Sequence, residues 1–373
     1  MKVKIHRKDL LSGIQRVQGV VERRNTMPIL THILMEAEEK NIALFATDLE
    51  VGIQGAYPAE VLEPGRVTVS ARKLHEIIRE FPEGPVMITA QPNHWVVLES
   101  GKSYFRIVGL PPEEFPVSPS VQSEEQIRIN PTLLSGLIRR TLFATGENNP
   151  QYILNGVLIQ LEKNNTGEGL IRFIATDGHR LAIAEGKVSG DWKPRDTGII
   201  LPKKAILEIK RALDDGDEPG EPQLLMGENQ LIYRWGTLII TSRLMEGEFP
   251  NYKQAIPASN TKKVSTQKED FEGGLRRVSI LAREKTSAIK FSIEAGRIIL
   301  NANNPEMGEA SEEIETPYEE EGFSTGFNAR YLLDALSALQ HDEATLEFKD
   351  ALSPCLIREE SEGFLTVIMP MRV

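Results

Sequence analysis

The 373-residue chain has one cysteine, Cys355, which leaves no internal disulfide and no cysteine-cluster zinc site. Its neighbours Leu352, Leu356 and Ile357 point to a buried, inert thiol. No apolar run approaches the ~18 residues of a membrane span. The start, Met1-Lys2-Val3-Lys4-Ile5-His6-Arg7, lacks the apolar core of a signal peptide, so the expectation is a soluble, cytoplasmic protein. There is no low-complexity tract, and 40% hydrophobic with 26% charged residues is a globular composition. Neither G-x-x-x-x-G-K-S/T nor G-x-G-x-x-G occurs, which excludes nucleotide binding through those loops. Cations are also in deficit. The formal net charge is −11, which as a total disfavours nucleic acid and makes the distribution of charge the deciding question.

What the chain does contain is repetition. A helical pattern runs from Asp9, as cap, to Val21, with Leu10, Leu11, Ile14, Val17 and Val21 on one face and Arg16 on another. Strand-like runs follow at Ile33 to Glu38, Ile42 to Ala46 and Glu50 to Val61, then at Val67 to Val69. A second helix spans Ala71 to Phe81, with Leu74, Ile77, Ile78 and Phe81 inward, and three more strands follow. The order strand, helix, three strands thus occurs twice within about 120 residues, a period too long for a solenoid. It then starts again. Leu133-Leu134-Ser135-Gly136 echoes Leu10-Leu11-Ser12-Gly13, and Phe271-Glu272-Gly273-Gly274-Leu275-Arg276-Arg277 echoes both. The second helix recurs as Pro202 to Leu213 and as Asn328 to Leu339. The reading is an α+β protein of three tandem similar domains, 1–125, 126–251 and 252–373, each of two βαβββ halves.

The repeat also distributes charge. The non-core faces of the six helices lean basic, through Arg16, Arg72, Lys73, Arg79, Arg139, Arg140, Lys203, Lys204, Lys210, Arg211, Arg276, Arg277 and Arg330. Acids gather elsewhere, at 214–221 and 306–321. Helices sharing one side of an assembly would make that side positive.

Two stretches carry candidate chemistry. Ala175-Thr176-Asp177-Gly178-His179-Arg180-Leu181-Ala182 crowds an acid, an imidazole and a guanidinium together, so Asp177 and His179 could act as an acid–base pair or as metal ligands. The related segments Ala46-Thr47-Asp48-Leu49-Glu50 and Ala302-Asn303-Asn304 lack the histidine, which favours a structural strand end. Gly322-Phe323-Ser324-Thr325-Gly326 matches a nucleophile elbow by letter, yet only about 50 residues remain to supply an acid and a base, and Ser324 reads as a structural residue. A hydrolase using Asp177 and His179, or Ser324, is the enzymatic alternative; a DNA-free interaction scaffold is another. The apolar ending Phe364-Leu365-Thr366-Val367-Ile368-Met369-Pro370-Met371-Arg372-Val373 is either a terminal strand or part of a cleft whose methionines adapt to several peptides.

Four motifs together resemble one family. Ala175 to Ala182, Tyr152-Ile153-Leu154-Asn155-Gly156, Phe249-Pro250-Asn251-Tyr252 and the ending Met369-Pro370-Met371-Arg372 are similar to the bacterial DNA polymerase III beta subunits, the sliding clamps, and the resemblance covers the whole chain. It implies a DNA clamp fold, a head-to-tail homodimer closed into a ring with helices inside and sheets outside, and no catalysis or cofactor. Such a ring encircles double-stranded DNA without reading sequence, and is served by a clamp-loader ATPase complex. The resemblance implies a pocket for short linear motifs of replicative polymerase and repair proteins between the second and third domains. Matching positions are Leu154, Thr176, Gly178, His179, Arg180, Leu181, Pro250, Ala255, Asn328, Tyr331, Leu352, Val367, Met369, Pro370, Met371 and Arg372. Gln151, Gln254 and Pro354 depart from the best-known enterobacterial clamp, which has two arginines and a serine there. The implied DNA contacts are Arg24, Gln151 and Tyr152, joined by the helix cations Arg72, Arg139, Lys203 and Arg276. The implied dimer seam sets Lys73, Leu74 and Phe105 against Ile280, Leu281, Glu306, Glu309, Glu312 and Glu313, a basic edge meeting an acidic one.

Overall fold

The structure, a computed structural model, describes residues 1–21, 27–116, 125–163, 167–193, 198–216, 218–283 and 286–372. Among the described residues there are six α-helices: α1 (Arg7–Val17), α2 (Ala71–Glu80), α3 (Pro131–Thr141), α4 (Lys203–Asp215), α5 (Lys268–Ser279) and α6 (Ala329–Ala338). Each follows one strand and precedes three, so the βαβββ order read from the sequence is the observed one, with one extra strand at Glu60–Glu63. Asp9 is not a cap. The strand Lys2–His6 runs straight into α1 at Arg7, which leaves Asp9 in the first turn, where its charge suits the helix N-terminus.

Contacts group the chain into two compact units, Met1–Pro131 with Ser189–Lys193 and Lys204–Leu244, and Thr132–Val188 with Pro194–Lys203 and Met245–Val373. These cut across the sequence repeats because repeats share sheets. Within the first unit, Leu238–Arg243 pairs antiparallel with Val51–Pro58, bringing Ile240 opposite Ile53. Within the second, Phe364–Ile368 pairs with Arg180–Asp191, bringing Val367 opposite Leu181. The last strand of the second and of the third repeat finds a backbone partner in the repeat before it.

Burial sets the phase of the first helix in each repeat. Leu10, Ile14 and Val17 of α1, Leu134, Ile138 and Thr141 of α3, and Phe271, Leu275 and Val278 of α5 are all buried. This alignment pairs Leu10 with Leu134, one position away from the match made by the letters Leu-Leu-Ser-Gly. It also makes Arg16, Arg140 and Arg277 equivalent. The first two are not solvent-facing. Arg16 is 8% exposed and donates to Glu218 at 2.7 Å, with Asp215 at 3.7 Å. Arg140 is 5% exposed and donates to the Glu362 carbonyl at 2.7 Å, with the Glu359 carboxylate at 3.6 Å. Both are therefore structural ion pairs rather than free phosphate contacts. Arg277 lies exposed against Glu312 at 2.6 Å.

Leu74 is another correction. It is fully buried beneath α2, so its side chain cannot meet a partner at a surface. Cys355 is fully buried and its thiol is pushed up by burial, an inert group as read from its neighbours. Among the described residues no helix is long and apolar enough to cross a membrane.

Candidate functional site

The stretch Thr176 to Leu181 is a tight turn at the end of the strand Gly169–Thr176. Thr176 Oγ1 donates to the Arg180 carbonyl at 2.6 Å and accepts from Gly178 N–H at 3.1 Å. Asp177 Oδ1 accepts from the amides of His179 and Arg180 at 2.9 and 3.0 Å. The same four bonds recur in the first unit, where Thr47 Oγ1 donates to the Val51 carbonyl and accepts from Leu49 N–H, and Asp48 accepts from the amides of Glu50 and Val51. In the third copy Asn304 accepts from Glu306 N–H, while Pro305 has no N–H to offer. The aspartate is a turn residue. Its second oxygen takes Arg180 Nε at 3.0 Å, so both oxygens are engaged within the chain. No cluster able to hold a metal occurs among the described residues. Ser324 lies inside the strand Phe323–Asn328, with its hydroxyl 3.0 Å from that of Ser292, and so forms no elbow.

Gly178 sits at φ 91 with nothing within 4 Å of where a Cβ would stand. Gly178→Ala should therefore cost only the backbone strain of a left-handed residue, about 1 kcal/mol, read as a lowered urea midpoint by circular dichroism.

The middle copy differs from the others through Arg180. Its guanidinium bridges Asp177 to Asp334 of α6 at 2.6 Å and lies 4.3 Å over the Tyr331 ring and 5.3 Å over Phe143. The His179 ring stacks near that of Tyr331, with centroids 6.4 Å apart and planes 20° from parallel. Tyr331 is set by Asn328, whose side chain caps α6 by accepting from the amides of Arg330 and Tyr331. The chain's end joins the same turn. Met369 N–H donates to the His179 carbonyl at 2.9 Å, and Met371 N–H to Gly326 at 2.8 Å. Beneath lies an apolar floor of Leu158, Ile174, Leu181, Ile183, Ile200, Met245, Tyr252, Leu356 and Val367, flanked by Ile153, Phe249 and Ala255.

Most of the expected pocket residues thus gather in one unit. Leu154, Leu181 and Val367 are buried, and Ala255, Pro370 and Met371 are half-buried. Gly178, His179, Pro250, Leu352, Met369 and Arg372 are exposed, Leu352 by 86% and Met369 by 40%. Sequence reasoning missed Asp334, Phe143, Met245 and Asn149, whose side-chain amide donates to the Asp177 carbonyl at 3.2 Å. Nothing in their local patterns points to the turn, although Tyr252 stood within a quoted motif.

The candidate DNA contacts fare unevenly. Arg24 lies outside the described residues. Gln151 and Tyr152 are exposed on the segment preceding Leu154. Arg72 meets Glu76 at 2.8 Å, Lys203 meets Glu147 at 2.9 Å and Arg276 meets Glu272 at 2.8 Å, while Arg139 donates to the Ser337 carbonyl. The positive faces are therefore partly neutralised by the chain itself. Glu76, half-buried and held by Lys73 and Arg72, has its pKa lowered to about 2. Of the seam candidates, Phe105 and Ile280 are 41% and 73% exposed. Leu281 and Glu312 are half-buried, and Lys73, Glu306, Glu309 and Glu313 are exposed. Phe105 lies on Ser103–Val108 and the acids lie on or beside Gly308–Glu315, each strand at the end of its own sheet.

Residues 1–119, 128–251 and 253–372 match the N-terminal, central and C-terminal domains of the DNA polymerase III beta subunit. The beta sliding clamp of Caulobacter vibrioides is 36% identical over 376 residues, covering all of both chains, and that of Pseudomonas putida is 33% identical over 375 with the same full coverage. Among solved structures, the clamp of Caulobacter crescentus matches with a TM-score of 0.94 at 36% identity, and that of Bartonella birtlesii, bound to griselimycin, with 0.93 at 32%, each covering 100% of both chains. The chain belongs to the beta sliding clamp family: it has the three-domain DNA clamp fold, serves DNA replication by binding DNA and polymerase, and is a non-catalytic processivity factor.

Proposed function

We propose that two copies of this chain close head to tail around duplex DNA, and that each copy offers one peptide pocket walled by the Thr176–Leu181 turn, α6 and the last residues. The observation that carries the pocket is the difference between two copies of one turn. Asp48 and Asp177 make the same backbone bonds, but the second turn also carries an arginine stacked on Tyr331 and accepts the amide of the exposed Met369. Partners are replicative polymerase, repair proteins and a clamp-loader ATPase, each engaging through a short linear motif whose apolar side chains enter over the floor. Griselimycin, bound by the Bartonella and Pseudomonas aeruginosa clamps, is expected to bind here as well.

The DNA path uses Arg24, Arg72, Arg139, Gln151, Tyr152, Lys203 and Arg276, which touch phosphates and carry no sequence information. The edge strands at Ser103–Val108 and Gly308–Glu315 supply unpaired backbone groups for the seam, with Lys73 and Phe105 facing Ile280, Leu281, Glu306, Glu309, Glu312 and Glu313. A net charge of −11 keeps DNA away from the other surfaces. Such a ring works in the cytoplasm, where the replicated DNA is. The test is mass in solution together with retention on nicked circular DNA. A dimer that stays on circles and is lost on linearisation is expected; a monomer at micromolar concentration, or equal retention on short open DNA, would overturn the ring.

A further inference from the structure

Glu147 is an acid paired with one cation of the proposed DNA path, Lys203. Its carboxylate accepts from Lys203 Nζ at 2.9 Å. The Lys203 side chain is 24% exposed and that of Glu147 is 78% exposed, so the glutamate is the partner free to leave. Lys203, then Arg330 and Arg180, hold the carboxyl below the usual carboxylate range. The chain thus supplies its own anion to Lys203, in the place where a phosphate could sit.

The backbone around it is tied down independently. Gly146 N–H donates to the Leu154 carbonyl at 2.8 Å, Asn149 N–H donates to Asn155 Oδ1 at 2.9 Å, and Asn155 Nδ2 returns to the Asn149 carbonyl at 3.2 Å. Asn149 Nδ2 also reaches the Asp177 carbonyl at 3.2 Å. Gly146 has no room for a side chain, since a Cβ would stand 2.9 Å from both Asn149 Cβ and Asn155 Oδ1. The Glu147 side chain can therefore swing off Lys203 without unfolding the segment, and an exposed ion pair of this kind is weak.

We propose that Glu147 stands in for a DNA phosphate on Lys203 and is displaced as duplex passes, so that each contact at this lysine exchanges one anion for another. This rests on the reading of Lys203 as a DNA contact. Such an exchange makes the contact weak in net terms and lowers its salt dependence, because the lysine is already neutralised before DNA arrives. A clamp that must slide gains from contacts of that kind: position is kept, and no single phosphate is held.

The experiment compares the full chain with Glu147→Gln, Lys203→Ala and the double variant, measuring anisotropy of a fluorescein-labelled duplex across a salt series. Glu147→Gln should bind about fivefold tighter at low salt, with a log–log salt slope steeper by up to about one. In the Lys203→Ala background the same substitution should change nothing beyond twofold. Equal tightening with and without Lys203 would mean that Glu147 acts only as diffuse charge, and would overturn the proposal. So would an unchanged Glu147→Gln beside a weakened Lys203→Ala. If Lys203→Ala itself binds as the parent does, the underlying DNA contact fails, an outcome separate from the other two. Thermal midpoints of all four proteins, matched within a few degrees, establish that the readout is binding and not folding.

Discussion

Arg140→Ala should lower the stability of the unit that contains it by about 3 kcal/mol, the lower end of the range for breaking a buried ion pair. The guanidinium and Glu359 are both nearly excluded from solvent, with 7% and 5% of their side chains exposed. Removing one partner of such a pair strands the other charge. Here the loss is moderated, because Glu359 keeps the amides of Gln340 and His341 and the His341 ring nitrogen at 2.8 to 3.1 Å. Against the burial that opposes ionisation, those donors hold the Glu359 carboxyl below its ordinary range. The sign follows. A depressed carboxylate contributes stability that is present above its unfolded value, near pH 4.3, and lost as pH falls through the folded value. The Arg140→Ala deficit should therefore shrink in acid, where Glu359 no longer needs a counter-charge.

The readout can be localised. Trp95, Trp192 and Trp235 all belong to the first unit, so tryptophan fluorescence reports on that unit alone, whereas circular dichroism reports on both. Arg140→Ala should move the dichroism transition and leave the fluorescence midpoint in place. Arg277→Ala, at the equivalent but exposed position, should change neither by more than about 0.5 kcal/mol. Coincident shifts in both signals for Arg140→Ala would mean that the units unfold as one.

That three equivalent arginines behave differently explains where sequence reasoning stopped. Helical periodicity finds Leu10, Ile14 and Val17 because their partners are on the same face, three or four positions apart. It assigns Arg16 and Arg140 to solvent because the acids that bury them, Glu218 and Glu362, stand 202 and 222 positions away. Matching letters also misplaced α3 by one residue, since Leu-Leu-Ser-Gly compares identities while packing compares phase. The turn at Asp177 was legible as a strand end for the opposite reason. Its bonds span two to four positions, so a threonine and an aspartate in order are enough to specify it. The pocket proposed on that turn comes from resemblance, residue by residue, and the side chains packed against Arg180 there, Asp334 and Phe143, carry no local mark.

Arg180→Ala should weaken binding of a labelled polymerase-derived peptide by about 30-fold, a loss of hot-spot size, while leaving retention on circular DNA unchanged. Arg180 touches both ends of the proposed pocket wall. It pairs with Asp177, which shapes the turn, and with Asp334, which anchors α6, and it covers the Tyr331 ring on which His179 stacks. Without it two carboxylates face one another across the wall and repel, so His179 and Tyr331 lose their common plane. Arg180→Lys should recover little of the loss. A single ammonium cannot bridge two carboxylates from separate nitrogens of a planar fork, nor stack on two rings with a flat face. Isothermal titration with the peptide, and separately with griselimycin, distinguishes the two roles this residue could have. If Arg180 positions the wall, both ligands weaken together and the lysine variant fails with both. Equal affinity of the alanine variant and the parent would instead mean that the turn and α6 hold their places through the Met369–His179 and Met371–Gly326 backbone bonds alone.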